Sequence, residues 1–293
     1  MQSIAAAAAG VSLLWGSGWL FMKLGTTSFP PFLFAGARNA LAGLLLLAIV
    51  YVQRQRVPRR QLATMVGLGI VMTGVSNGFT FWGQQRISSS LAALVWCATP
   101  FLTAAFSHVF LPGQKLNVWR VGGLLIGLSG VWLVLSTQHL DVGAGVTAGK
   151  VAILIASVIW ALGLVLNKRW LPETDSILMT GVQLAGGAAY LVPLGLVTES
   201  TANMQITPLS VFVFLMMLFG QGCLGYLCYY YLLARVSPTS VSLLSFVTPT
   251  IAVVLGVVLL GETLYWQMGA GLLLVAVGIV TVNMLGQRER AVA

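Results

Sequence analysis

Apolar runs of about twenty residues recur along this chain, and that length crosses the hydrocarbon of a bilayer as a helix. Strands crossing a membrane would be shorter and would alternate apolar with polar residues; these runs do neither. Ten runs stand out: 4–24, 32–52, 62–81, 89–111, 118–136, 149–168, 177–197, 209–231, 239–259 and 265–285. Turn and charge signals separate them, among them Phe29-Pro30-Pro31, Arg54 to Gln61, Pro112-Gly113-Gln114-Lys115 and Pro172-Glu173-Thr174-Asp175. Only 15 Lys and Arg and 6 Asp and Glu serve 293 residues. Charged residues are 7% of the chain, against about 25% in soluble domains. That supply cannot clothe a soluble surface, which excludes a soluble enzyme, a disordered chain and a nucleic-acid binder.

The net charge of +9 reads as topology. With the N-terminus in the cytoplasm, the inner segments hold Arg54, Arg56, Arg59, Arg60, Lys115, Arg120, Lys168, Arg169, Arg235, Arg288 and Arg290. The outer half holds Lys23, Arg38, Arg86 and Lys150. This bias predicts a multi-pass protein of the bacterial inner (plasma) membrane with both termini cytoplasmic. The N-terminal alanines lack a charged leader and run on through Trp15, Trp19 and Phe21, so this stretch is expected to be a retained first span. Cys97, Cys223, Cys228, His108 and His139 form no CxxC and no ligand cluster, so no metal site, disulfide framework or cofactor is expected.

The chain also aligns with itself. Ser12-Leu-Leu-Trp15-Gly-Ser-Gly18, running on to Lys23, matches Ser157-Val-Ile-Trp160-Ala-Leu-Gly163, running on to Lys168. Gly36 falls on Gly181, and Arg38 on Gln183. Arg86-Ile-Ser88 matches Arg235-Val-Ser237, and Thr99-Pro100 matches Thr248-Pro249. Self-similarity at a near-constant offset marks an internal repeat. Each half carries five spans, an odd number, so the halves enter the membrane with opposite orientation. Inverted repeats are an architecture of secondary transporters, with the substrate site at midplane between the halves.

These residues resemble the EamA-type repeat of the drug/metabolite transporter superfamily. The likeness rests on Trp15-Gly16-Ser17…Lys23, Pro30-Pro31…Arg38 and Thr99-Pro100 in the first half. In the second it rests on Trp160…Lys168, Thr248-Pro249, Gly261-Glu262 and the glycines Gly269, Gly271 and Gly278. The first half departs at Pro112-Gly113-Gln114, where Gly-Glu would stand, and the second at Gln183, where arginine would stand. The resemblance implies an all-α membrane protein of ten transmembrane helices, built as two five-helix inverted-topology repeats (1–140 and 146–287) around a central cavity. The aromatic content is similar to that of the YddG-type aromatic amino acid exporters.

Polar groups persist in hydrocarbon mostly where they face a bundle interior or a wet cavity. Thr73, Asn77, Thr80, Phe81 and Gln84 form a stripe at helical spacing, whose repeat counterpart holds Tyr226 and Tyr229. Trp96 and Thr99 share a side of the fourth span, and Ser245 and Thr248 occupy the matching side of the ninth. Trp15 and Trp160 lie mid-span. The expected substrate-binding set is therefore Trp15, Asn77, Phe81, Trp96, Thr99, Trp160, Tyr226, Tyr229, Ser245 and Thr248. Flat walls with a few hydroxyls and amides suit an amphipathic solute. Each aromatic has core packing as its competing reading, and each hydroxyl a bond to its own helix. Pro100 and Pro249 are expected hinges, with a static kink as the alternative. Arg38 is expected to tie helices together, His108 to be an interfacial hydrogen-bonded residue, and the glycine pairs to pack within one chain rather than between two.

No Asp or Glu falls at mid-span. The expectation is thus a non-enzymatic carrier exporting aromatic or hydrophobic amino acids and related metabolites as a facilitator. The alternative is a broad-specificity drug/metabolite exporter with proton coupling. Its partners are the small-molecule substrate and the lipid bilayer, with no nucleic acid, and a monomer suffices.

Overall fold

The computed structural model describes residues 2–54, 59–114, 116–137, 144–171, 174–225, 228, 232 and 244–282. All regular structure among them is helical. The segments are α1 (Gln2–Ser28), α2 (Pro31–Val52), α3 (Arg59–Gln84), α4 (Ser89–Phe110), α5 (Val118–Leu135), α6 (Ala144–Trp170), α7 (Ser176–Thr198), α8 (Pro208–Gly225), α9 (Leu244–Leu260) and α10 (Trp266–Val280). Eight of them, α1 to α8, are long and apolar enough to cross a membrane. The apolar stretches Val247–Leu260 and Trp266–Val280 are shorter.

Local chemistry sets the ends. Pro30 is extended (φ −59°, ψ 133°) and Pro31 opens α2, where its missing N–H costs nothing. The Asn117 side chain caps α5 and Asp175 caps α7, each accepting from the first turn. Thr207 and Ser210 form a reciprocal capping box ahead of α8, with Pro208 at its first position. Gly261, at φ +65°, ends α9 in a left-handed conformation that a Cβ would penalise.

Two helices loosen to π geometry, over Ile70–Ser76 in α3 and Met216–Gly225 in α8. α4 breaks at Cys97, between Ser89–Trp96 and Ala98–Phe110. Pro100 lacks an N–H, so the α-helical ladder loses a rung at this point.

Lipid tails are as apolar as leucine, so close packing and hydrogen bonds hold such a bundle together. α2 packs along α7, α5 along α10, α1 along α9 and α4 along α6. Small residues set the spacing. A Cβ on Gly43 would lie 2.9 Å from Ala185 N, and one on Gly130 would lie 2.7 Å from Gly271 O. The Gly123 and Gly127 pair faces Gly278 and Phe101 of the same chain, as expected for intrachain packing, while Gly122 and Gly269 meet nothing.

The C-terminal ends of α1, α3, α5, α7 and α9 gather at one end of the bundle, the far end. There Gln205 N bonds Ser28 O, and Gly83 lies against Gly149.

Candidate functional site

Three tryptophans meet inside the bundle. The Trp19 and Trp96 rings are 5.7 Å apart and edge-on, and Trp96 and Trp160 are 6.0 Å apart and tilted. They join α1, α4 and α6, and all three are half-buried. The structure thus brings together Trp96 and Trp160 from the expected set. It adds Trp19, one helical turn beyond Trp15, which mid-span position had not singled out. Trp15 turns elsewhere: its indole Nε1 lies 2.5 Å from where a Cβ on Gly225 would sit, against the π segment of α8.

Thr99 lies one turn below Trp96 and is buried, and its hydroxyl has no hydrogen-bond partner among the described residues. Its carbonyl accepts from Thr103 at 2.8 Å. The competing reading of this hydroxyl, a bond to its own helix, is therefore not met among the described residues. Asn77 follows directly on the π segment of α3 and is half-buried, with no side-chain bond to another described residue. Phe81 is 1% exposed, packed among Met22, Phe34, Leu191 and Met217, with the Arg38 guanidinium 5.3 Å over its ring. Its placement is that of a core residue bridging α2 and α3. Thr248 is half-buried where α1 crosses α9, its carbonyl 3.0 Å from the Cβ position of Gly16. Pro100 is half-buried and Pro249 buried within continuous α9. Tyr226 and Tyr229 lie outside the described residues, as does the Ser245 side chain.

A thread of polar side chains runs through α2, α3, α7 and α6. Asn39, fully buried, donates to Thr73 O at 2.8 Å and accepts from Arg38 Nη2 at 2.8 Å. The Thr73 hydroxyl donates to Gln183 O at 2.6 Å, and Gln183 Nε2 donates to Asn167 Oδ1 at 2.7 Å. Asn167 Nδ2 reaches Met72 Sδ at 3.1 Å. The π segment explains the centre of this thread: irregular turns leave carbonyls for side chains to satisfy. Arg38 is a tie between helices, as expected. Asn39 and Asn167 escaped the sequence reading, although each is an amide inside an apolar run, which was the available signal.

The far end is closed by charge. Lys23 Nζ donates to the carbonyls of Gln84 (3.0 Å), Gln85 (3.3 Å) and Ile87 (2.8 Å), at the C-terminus of α3. Lys150 Nζ does the same at the end of α5, to Leu135 O (3.0 Å) and Thr137 O (2.8 Å). Glu199 accepts from Phe32 N (2.8 Å) and Leu33 N (2.9 Å) at the start of α2. Glu262 accepts from the N–H and hydroxyl of both Ser89 and Ser90 at the start of α4. Each sign matches its helix pole, where cations suit C-termini and anions N-termini. Arg86 stacks 3.5 Å over Trp82 and donates to its carbonyl at 2.7 Å. Of the four cations of the sparse half, Lys23 and Lys150 tie helix ends, Arg38 lies over Phe81 of α3, and Arg86 folds back on Trp82 of its own helix. At the opposite end His108 Nδ1 accepts from Leu116 N at 3.3 Å, the helix-end role expected of it.

A hollow of about 490 Å³ opens at the far end beneath Phe29, Pro30, Trp82, Gln85, Glu199 and Asn203. An apolar crevice of about 220 Å³ adjoins it between α3 and α7, sharing Phe32 and Trp82.

The model of the EamA-like transporter family matches this chain twice, over residues 2–136 and 147–284. The uncharacterized inner membrane transporter YedA of Escherichia coli K12 is 31% identical over 276 residues, covering 92% of this chain and 88% of its own. The uncharacterized transporter YvbV of Bacillus subtilis is 30% identical, covering 96% and 92%. A probable amino-acid metabolite efflux pump of Salmonella typhimurium is 28% identical, covering 97% and 95%. A crystal structure of a protein 20% identical in sequence superposes with a TM-score of 0.70, covering 98% of this chain and 99% of the other, and so shares the fold.

Proposed function

The chain belongs to the EamA-like transporter family, and on that premise we propose that it exports small amphipathic metabolites, aromatic and hydrophobic amino acids first among them, by alternating access. The observation that carries the substrate reading is the cluster of Trp19, Trp96 and Trp160, with the unpartnered Thr99 hydroxyl one turn away. Indole rings stack a flat or apolar side chain, and an unfilled hydroxyl and the Asn77 amide are available to a zwitterion. Similarity to an amino-acid metabolite efflux pump supports this class.

The architecture proposed is ten spans in two inverted five-helix repeats, residues 1–140 and 146–287. Two observations support it. The family model matches each half separately. The contacts also exchange as a two-fold axis requires: α2 meets α7, α5 meets α10, and α1 with α9 mirrors α6 with α4. In this reading Pro100 and Pro249 are paired hinges of α4 and α9. Tyr226, Tyr229, Ser245 and Thr248 complete the second half's share of the binding wall.

The cation bias supports a far end outside and both termini in the cytoplasm of an inner membrane. The carboxylates Glu199 and Glu262 sit at the far end and none lies at mid-depth in the described spans, which supports a facilitator. A broad-specificity, proton-coupled exporter is the alternative, because ring stacking tolerates any flat amphipath. Uptake of labelled tryptophan into liposomes carrying the protein tests both. Competition by phenylalanine but not by a bulky cationic dye is expected. Equal competition by the dye selects broad specificity, and accumulation driven by an imposed proton gradient overturns the facilitator reading.

A further inference from the structure

One connection at the far end joins the two halves across 173 residues of sequence. Glu262 Oε1 accepts from Ser89 N at 2.6 Å and Ser89 Oγ at 2.8 Å. Oε2 accepts from Ser90 N at 2.9 Å and Ser90 Oγ at 2.5 Å. The left-handed turn at Gly261 swings the carboxylate off α9, and Glu262 N bonds back to Gly256 O at 3.1 Å. Gly256 leaves the room this needs. A Cβ there would overlap both Glu262 Oε2 and Ser90 Oγ, and would stand 2.9 Å from Ser89 Oγ. Four donors thus converge on one carboxylate in a pocket that no larger residue permits.

We propose that Glu262 is the latch of an acid-sensitive gate: ionised, it holds the far ends of α9 and α4 together, and protonated, it lets them part. This rests on the transport reading above, in which α4 and α9 carry the paired prolines and the far end faces outward. The chemistry fixes the direction. A carboxylate with four donors on it has no place for a proton of its own. Taking one up turns an acceptor site into a donor and expels at least one partner. Charge-assisted hydrogen bonds are the strong ones, so the loss is large for a single proton.

The surrounding charges agree. Lys23, on α1, is close enough to Glu262 for an electrostatic attraction, while its own protons are spent on the α3 carbonyls. Arg86, in the turn before α4, is held on Trp82, and Lys150, on α6, on the end of α5. Serines are all that α4 presents to the carboxylate, and they do not titrate in this range. Because Glu262 stays at the same end in either state, its proton returns to the side it came from. The latch therefore regulates opening without coupling proton flow to transport.

Electron–electron distances between spin labels at Gln85→Cys and Leu264→Cys, both exposed at this end, read the gate directly. The measurement uses the full chain in nanodiscs, with Cys223 and Cys228 replaced by alanine. Stepwise acidification from neutral, as far as the parent stays folded, is expected to raise the long-distance population at least about tenfold, the worth of one charge-assisted hydrogen bond. Glu262→Gln is expected to show that opened distribution at every pH. The Ser89→Ala, Ser90→Ala double variant is expected to open partly at neutral pH and to keep its acid response. A distribution unmoved by acid, or Glu262→Gln indistinguishable from the parent at neutral pH, overturns the latch. The readout involves no substrate. A moving gate with no amino acid uptake would therefore sink the transport reading alone, and uptake with an unmoved gate the latch alone.

Discussion

Gly163 of α6 lies directly on Met72 of α3: a Cβ at position 163 would overlap Met72 Cγ and sit 2.5 Å from Sδ. The related glycine of the first half, Gly18, lies on Gln221 of α8, where a Cβ would overlap the side-chain amide. In the proposed two-repeat architecture these two contacts are one crossing made twice, with the partners exchanged between halves. Met72 is also the acceptor for Asn167 at 3.1 Å, so it cannot shift freely. The Gln221 amide makes only a marginal 3.5 Å approach to Leu14 O.

Alanine at Gly163 is accordingly expected to cost about 1–3 kcal/mol, the range for overpacking, while alanine at Gly18 costs less because a flexible side-chain end can swing away. Thermal melting of the two purified variants in detergent checks the order. Equal losses would mean that Met72 relaxes as readily as Gln221.

Replacing Trp96 or Trp160 by alanine removes a ring from the tryptophan cluster. An aromatic pair is worth about 0.5–1.5 kcal/mol, so flux of labelled tryptophan is expected to fall roughly two- to tenfold at normal expression. Phenylalanine at either position is expected to restore most of it. Trp15→Ala and Trp19→Ala belong in the same series, since one lies on α8 and the other in the cluster. Unchanged flux in all four would remove the proposed binding wall.

Asn39→Ala leaves Thr73 O and the Arg38 guanidinium without the amide that joins them. A buried polar group left unsatisfied costs about 1–3 kcal/mol. The variant is expected to melt earlier by that amount. Asn39→Leu, similar in size and equally unable to bond, is expected to do no better. Recovery in the leucine variant would show that volume and not the hydrogen bonds matters at this site.

Alanine in place of Pro100 and Pro249 restores the missing N–H in each helix. With paired hinges, each single variant is expected to slow tryptophan flux severalfold and the double variant more than either, with melting temperatures unchanged or raised. Normal flux in the double variant would mean that the prolines only shape the bundle.

The helix ends were open to reading from sequence because their causes are local. Pro30-Pro31, Asn117, Asp175 and Thr207-Pro208 cap or start helices by chemistry within a few residues. Several runs extend past their expected limits, among them the first, read as 4–24, which spans Gln2–Ser28. The third, read as 62–81, continues to Gln84, and the sixth, read from 149, begins at Ala144. Hydropathy ends a span where polar residues begin, but Gln84 stays helical because Lys23, from another helix, satisfies its carbonyl. Phe81 shows the matching limit at the site. Its spacing along α3 placed it on the polar stripe, and only the arrival of Arg38 and Phe34 from α2 assigns it to the core.

The sequence by itself determined that this chain must be helical and held in a membrane, because 7% charge cannot cover a soluble surface and uninterrupted apolar runs must satisfy their backbone internally. It also carried the self-similarity that the family model matches twice along the chain. The tertiary structure alone decided which side chains answer which helix ends. Glu262 holding Ser89, Glu199 holding Phe32 and Lys150 holding Leu135 depend on segments meeting across space. Local sequence caps and starts most spans, whereas the packing of spans against one another sets who stands beside a freed N–H or carbonyl.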